Sequence, residues 1–316
     1  MANITQFYRS PLLSNLALRW RNASFIADRL FPTVQVPKDQ FGYLRFDQDV
    51  AFRVYDDRMA PFASANQVDV LATQVFTQIT DKALKAYVDP KEEAQLGDIS
   101  AQALKTNVLM EAMGLAKENR AATILRATTS YVAGNSTTLS GTGQWSDPGS
   151  NPKNAVLVAK RGLLIPTDSR VIMWMGKDVY DGLQLNSAVI ASVQYSQGSV
   201  DTRDVLARYL QVDEIVVGEA WSATNNFGQT LTTGRLWGKD AGLLVVNNGA
   251  PRGMGQLPTF GVVAASTAAG GLWNVYTGRD SDRGTKEGVT IVKAEGTYDF
   301  IVQANTLGFL WKNAVL

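Results

Sequence analysis

The spacing of apolar positions changes character several times along the chain, and each change marks an element. "SNLALRWRNASFIADRLFP" (14–32) predicts a short helix, with Ser14 as N-cap and Pro32 closing it. "QFGYLRF" (40–46) is an aromatic-rich strand pattern. Residues 68–88, "VDVLATQVFTQITDKALKAYV", contain no Gly or Pro and open rich in Val, Thr and Phe, which predicts one long strand. Both of its faces are mixed. Val70, Ala72, Gln74, Phe76 and Gln78 share one, and Leu71, Thr73, Val75, Thr77 and Ile79 share the other, so neither is a clean core face. Fully extended, the segment would span roughly 70 Å, whereas a compact globule of this length is only about 50 Å across. Residues 40–46 and 68–88 are therefore expected to form a two-stranded ribbon projecting from the body. Such a ribbon is marginal alone, and its open edges invite other chains. The competing expectation is a strand-to-helix switch near Asp81, leaving an ordinary internal hairpin.

Beyond Gly97 the period becomes helical. Leu104, Val108, Leu109, Ala112, Leu115 and Ala116 fall on one broad face of a helix running from Asp98 to Leu125, about 40 Å long. Asp98 or Ser100 is its candidate cap, and it reads as the spine of a domain. A polar loop follows, and then "GQWSDPGSNPKNAV" (143–156), where a tryptophan sits among turn-forming residues. Asn151 and Pro152 predict the start of a second helix there, with Trp145 placed to staple it or to cover the spine helix. Region 167–221 alternates strand and helix: "DSRVIMWM", then "GKDVYDGLQL", "NSAVIASVQYS" and "DTRDVLARYL", then "DEIVVGEA". "LWGKDAGLLVV" adds a strand, and residues 288–316 read as an antiparallel hairpin and an edge returning to the first body. No internal repeat is visible. The fold class is α+β.

Composition narrows the function more than it narrows the fold. The chain has 316 residues, 45% of them hydrophobic, enough for a sizeable core. A net charge of +1 argues against a dedicated nucleic-acid binder. There is no Cys and no His. That closes disulfides, thiolate nucleophiles and cysteine-ligated zinc, together with the side chain best suited to proton transfer near neutral pH. No signal-peptide pattern and no membrane-length apolar window occurs. No enzyme activity and no cofactor are expected.

The motifs that suggest chemistry fail on spacing. "GRLWGKD" has only three residues between its glycines, one fewer than a phosphate-binding loop needs, and Asp240 stands where Ser or Thr would bind magnesium. Asp280 and Asp282 in "GRDSDRG" lack the remaining ligands of a calcium loop. The acid pairs Asp56–Asp57 and Glu92–Glu93 are sequence neighbours, which seldom converge on one substrate. Asp56 and Asp57 fit better with Arg53 and Arg58 as a mixed-charge ribbon tip.

"FIADRLFPTVQVPKDQFGYLRF" followed by "YDDRMAPFASANQVD" resembles the N-terminal part of tailed-bacteriophage major capsid proteins. Trp145 in "QWSDPGSNPKNAV" is similar to that family's tryptophan-acid pattern ahead of a peripheral-domain helix, and 170–220, 236–246 and the C-terminal strands also resemble it. One departure is "LQLNSAVI", where relatives often carry a His-Pro pair. The resemblance implies the Hong Kong 97-type capsid fold. It divides the chain into an N-terminal arm (1–36), an extended β-ribbon loop (37–90), a peripheral domain with the spine helix (91–166), an axial domain (167–285) and C-terminal strands returning to the peripheral domain (286–316). It makes Trp145 a buried anchor between the spine helix and the second peripheral helix.

The implied function is self-assembly: pentamers and hexamers of an icosahedral phage head enclosing double-stranded DNA, which is contacted weakly on the inner face. Identical subunits are the principal partners, with possible scaffolding, portal and decoration proteins and no membrane. Assembly in the host bacterial cytoplasm into the virion follows. The expected subunit contacts are Arg9, Arg19 and Arg21 in the arm, with Arg53, Asp56, Asp57, Arg58, Val75 and Phe76 on the ribbon. A nanocompartment shell of the encapsulin kind and a tail-tube component are the structural rivals. A carboxylate-based hydrolase is the rival from another class.

Overall fold

The structure, a computed structural model, describes residues 4–9, 25–46, 72–96, 100–166, 169–193, 203–225, 228–247, 258–268, 271–284 and 288–316, with isolated positions in 54–64. In chain order the elements begin with β1 (Ile4–Arg9), α1 (Ala27–Leu30), β2 (Thr33–Val36), β3 (Gln40–Phe46), β4 (Ala72–Gln78), β5 (Asp81–Val88), α2 (Pro90–Leu96) and α3 (Ala101–Arg126). Next come β6 (Ser136–Thr138), α4 (Pro152–Gly162), β7 (Val171–Gly176), α5 (Lys177–Leu185), α6 (Ser187–Val193), α7 (Arg203–Leu210), β8 (Glu214–Gly218), β9 (Trp221–Ala223) and β10 (Thr233–Arg235). The chain ends with β11 (Ala241–Val245), β12 (Gly261–Ser266), β13 (Asn274–Asp280), β14 (Val289–Val302) and β15 (Gly308–Lys312).

Two sheets organise the body. The first runs β1-β13-β14-β12-β2, with β5 also on β14. Fourteen residues long, β14 is its hub: it pairs with β13 and β5 along its first part and with β12 along its last. Helix α3 lies across this sheet, and Leu109, Met110 and Met113 pack with Val88, Val275, Val292 and Ala294. The second sheet runs β6-β15-β11-β7-β8. Its central strands are apolar throughout, as burial on both faces requires. One large core joins α1, the C-terminal half of α3, α4, the second sheet and its helices.

Several expectations are corrected. Residues 72–88 are two strands rather than one: β4 belongs to a two-stranded ribbon with β3, and β5 joins the first sheet, the change falling at Ile79–Thr80. The competing strand-to-helix switch near Asp81 does not occur either. Ser100 caps α3, accepting from the Ala103 N–H at 3.3 Å; Asp98 and Ser14 lie outside the described residues. The C-terminal segment is not a hairpin. β14 runs straight through Gly296, where a Cβ would stand 2.4 Å from the Leu272 carbonyl oxygen, and β15 then crosses to the second sheet.

The broad apolar face assigned to α3 is the largest correction. Buried on α3 are Ala101, Thr106, Leu109, Met110, Met113, Gly114, Lys117, Glu118, Ala121, Ala122 and Leu125. Leu104, Val108 and Ala112 are exposed and Leu115 is half-buried, so only part of the expected stripe faces inward. The helix exposes Leu104, Val108 and Ala112 among polar residues on its outside and carries two charges on its inside.

Close backbone approach fixes the junction of the second sheet with the loop after β10. A Cβ on Gly176 would lie 1.9 Å from the Gly238 carbonyl oxygen, a main-chain atom that cannot step aside cheaply. Gly176→Ala is expected to destabilise the chain by about 1–3 kcal/mol through overpacking, read as a lower midpoint in urea denaturation.

Candidate assembly interface

The ribbon is held at its base and bare along one face. Alternation puts Phe41 and Tyr43 on one side, where they pack against Ile79, Val262, Ala264 and Ile301 of the first sheet. The Ile79 N–H donates to the Asp39 carbonyl at 2.8 Å, and the Asp39 carboxylate accepts from the Ser266 hydroxyl. The opposite side carries Gln40, Gly42, Phe76 and Gln78. Phe76 is 76% exposed and sits across from Gly42, so no side chain opposite covers its ring. Val75, paired with Tyr43, lies on the base-facing side and is half-buried. Of these two expected contact residues, Phe76 alone is presented outward. Farther along, Asp57 and Arg58 are exposed, as are Val54 and Met59 beside them. Arg53 and Asp56 lie outside the described residues.

The arm meets the body at a buried polar knot. Glu118 of α3 is fully buried, and three donors converge on its carboxylate: the Ile26 N–H and Ala27 N–H at 2.9 Å each, and Trp237 Nε1 at 2.8 Å. Those amides open α1, so a spine-helix side chain caps the last turn of the arm. Burial lifts the Glu118 pKa above the ordinary glutamate range, with Asp28 adding to it, while the three donors pull it back. Next to it, Lys117 is buried, pairs with Asp28 of α1, and stands 5.9 Å and 5.6 Å from the ring centres of Trp273 and Tyr298. Sequence reading missed both residues, although two adjacent charges within an apolar helix were a visible signal. Arg9 lies on β1, its backbone opposite Tyr276; its side chain, with Arg19 and Arg21, lies outside the described residues.

Trp145 is 1% exposed. Its ring meets Trp311 with centres 5.3 Å apart, its backbone N–H donates to the Ala314 carbonyl at 2.7 Å, and its backbone carbonyl accepts from Asn186 Nδ2 at 2.9 Å. These contacts run to the C-terminal strand and to the turn between α5 and α6, not to the spine helix. Asn186 also donates to Ser150 Oγ, and its Oδ1 accepts from the Ala188 and Val189 amides, capping α6. It stands where a His-Pro pair was noted as the commoner pattern.

The rejected motifs have structural jobs. Asp240 is buried and holds Arg126 Nε at 2.6 Å and the Asn313 N–H at 3.0 Å, tying the end of α3 to the C-terminal strand. Asp280 accepts from the Asp282 N–H in a local turn. Among the described residues no group of three or more metal-ligating side chains occurs, and no helix is long and apolar enough to cross a membrane. Sequence reading also passed over β9–β10, a second small ribbon whose Trp221 is 53% exposed, with Leu231 exposed in the connection between its strands.

No family model matches the chain. It is 28% identical over 317 residues to the major capsid protein of Pseudomonas phage JBD67, covering 96% of each. It is also 28% identical over 211 residues to the major capsid protein of Burkholderia phage BcepMu, covering 66% of this chain and 68% of that one. Among solved structures, a phage-related protein from Bordetella bronchiseptica RB50 superposes with a TM-score of 0.75 at 22% identity, covering 98% of this chain and 99% of that one. The mature capsid of bacteriophage PhiM1 and a virus-like particle from Pyrococcus furiosus each give 0.56 at 12% identity. PhiM1 covers 93% of this chain and 88% of its own, and the particle 95% and 96%.

Proposed function

We infer that this chain, which has the Hong Kong 97-type capsid fold, is a tailed-phage major capsid protein whose copies close into the pentamers and hexamers of an icosahedral head around double-stranded DNA. Its role is structural and its place is the virion capsid. The observation that carries this reading is the likeness to a phage major capsid protein along 96% of both chains. The β3–β4 ribbon supports it physically: a face that ends in a bare phenylalanine is completed by a neighbour. The fold alone does not separate a phage head from a nanocompartment, since a virus-like particle shares it. The two curated relatives favour the phage head.

In this reading the arm is 1–36, the ribbon 37–90, the peripheral domain 91–166, the axial domain 167–285, and 286–316 closes the body. Arg9, Arg19, Arg21, Arg53, Asp56, Asp57, Arg58 and Phe76 serve contacts between copies, and Trp145 serves the fold. Scaffolding, portal and decoration proteins join the same shell, DNA touches its inner face weakly, and the host bacterial cytoplasm is where it forms. No catalysis is needed. Many modest contacts suit a closed shell, because every 1.4 kcal/mol is about tenfold in affinity and a single tight contact would trap errors.

Replacing residues 40–78 by a short Gly-Ser linker is expected to abolish closed shells in electron micrographs while the subunit keeps its helical circular dichroism. Full-yield shells from the shortened chain would sink the role given to the ribbon. Encapsulated enzyme in place of nucleic acid would favour the nanocompartment.

A further inference from the structure

Around the turn that joins α7 to β8, the chain gathers more positive charge than its own acids neutralise. Glu214, half-buried at the start of β8, is shared by the exposed guanidiniums of Arg29 and Arg170. Arg203, at the start of α7, adds to the crowding: burial lowers the pKa of Arg29, and the charges of Arg203 and Arg170 lower it further. Beside these residues α4 packs on α7 and brings more cations. Lys153 Nζ stands 5.0 Å from the centre of the Tyr209 ring, and Lys160 Nζ donates to the Gln211 carbonyl at 2.5 Å. Arg161 and Arg208 are exposed next to them. We propose that this surface, centred on Lys160, Arg161 and Arg208, holds the phosphodiester backbone of the packaged DNA and is therefore the inner face of the shell. The proposal rests on the shell reading above and names the surface that reading leaves open.

Charge balance favours a polyanion. Helix α4 contains no acid. Lys153, Lys160, Arg161 and Arg208 have no carboxylate partner among the described residues. Of the acids close by in sequence, Asp213 is turned to the Val171 N–H at 2.6 Å, which leaves Asp204. Lys160, Arg161 and Arg208 do lie in the last turns of their helices, where they offset the macrodipoles. Each helix end carries about half a negative charge, so the two ends balance about one of the three cations.

Spacing agrees with a duplex. Lys153 and Lys160 share a face of α4, two turns and about 10 Å apart. Over that length double-stranded DNA presents about six phosphates. Phosphate contacts of this kind hold DNA without reading its sequence, as a shell that encloses a whole genome requires. A net charge of +1 keeps the excess local and the binding weak. A second copy of the chain suits the surface less well, because Glu92, Asp178, Asp181, Asp280 and Glu295 are each paired within their own chain.

The test is the salt dependence of binding to a short fluorescent DNA duplex, measured by anisotropy with the purified chain. Lys160→Gln, Arg161→Gln and Arg208→Gln combined should make the slope of log affinity against log salt shallower by about 2.7, since each phosphate contact contributes about 0.9. Lys38→Gln, Lys85→Gln and Lys91→Gln combined remove the same net charge from other surfaces and should leave the slope unchanged. Equal slopes for the two triple variants, or no binding by the wild type at low salt, would overturn the proposal. Should the first variant fold poorly by circular dichroism, formaldehyde cross-linking of DNA-filled wild-type particles provides the second measurement. Adducts are expected in peptides covering 153–161 and 203–211, and adducts confined to other peptides overturn the assignment. A variant that loses closed shells yet keeps the wild-type slope would make the surface a contact between copies, and the proposal would fall. If the wild type forms no shells under any condition, the shell reading itself fails, a result distinct from the others.

Discussion

Glu118→Ala is expected to be among the most damaging single substitutions away from the sheets. It strands the Ile26 and Ala27 amides and the Trp237 indole N–H in a site closed to water. A buried donor left without a partner costs about 1–3 kcal/mol. Relief from no longer burying a carboxylate offsets part of that, leaving a net loss on the order of 3 kcal/mol. For a chain of this size each kcal/mol moves the melting temperature by about 2–4 °C, so thermal melts should fall by roughly 6–12 °C. Glu118→Gln separates volume from hydrogen bonding. Ile26 and Trp237 share Oε1, which the amide can retain, while Ala27 uses Oε2, where an NH₂ would oppose its N–H. The stability order should be wild type, then Gln, then Ala. If Ala melts with the wild type, the knot does not hold the arm.

The same residue gives a pH signature with a definite sign. Because burial raises the pKa of Glu118, the folded chain holds that proton more tightly than the unfolded chain does. Between the ordinary glutamate pKa, about 4.3, and the raised folded value, the native state binds more protons, so stability falls as pH rises through that window. Other carboxylates cancel in the difference between wild type and Glu118→Gln. The advantage of wild type over Gln should therefore widen as pH is lowered from neutral into that window. A gap that narrows on acidification would mean that the three donors outweigh burial.

The residues that misled the sequence reading show what periodicity can register. The ribbon was legible because alternation placed polar residues on both faces of 68–79, which a strand buried in a core would not tolerate. Its junction with β5 was not. Both sides of Ile79–Thr80 favour strand, and the division is imposed by β14, some 210 residues away in sequence, which pairs with 81–88 while 72–78 pair with β3. On α3 the inward side was obscured by Lys117 and Glu118, whose charges are satisfied by a segment about 90 residues earlier. Without that partner in view, Leu104 and Val108 were the more natural core residues. The same cause hid Trp221, an exposed aromatic indistinguishable in sequence from a buried one. Local pattern reports what a residue prefers; which surface is already covered depends on contacts far along the chain.

Trp145→Ala should cost about 3–5 kcal/mol, the range for deleting a large buried ring. The loss would reach beyond the cavity, because the backbone of Trp145 is bonded on both sides, to Ala314 and to Asn186. Asn186 in turn caps α6, so slack at 145 is transmitted to the C-terminal strand and to that helix together. Trp145→Phe tests a subtler point. The buried Nε1 of Trp145 has no hydrogen-bond partner among the described residues, so this tryptophan is kept for its bulk against Trp311 and not for its N–H. Phe removes an unsatisfied donor while giving up part of the ring, and the two effects oppose each other. A net cost of about 1 kcal/mol is expected, well below that of Ala. Urea denaturation of the three proteins would decide it: if Phe is as damaging as Ala, the indole N–H has an unseen acceptor and Trp145 anchors the loop by a hydrogen bond as well as by packing.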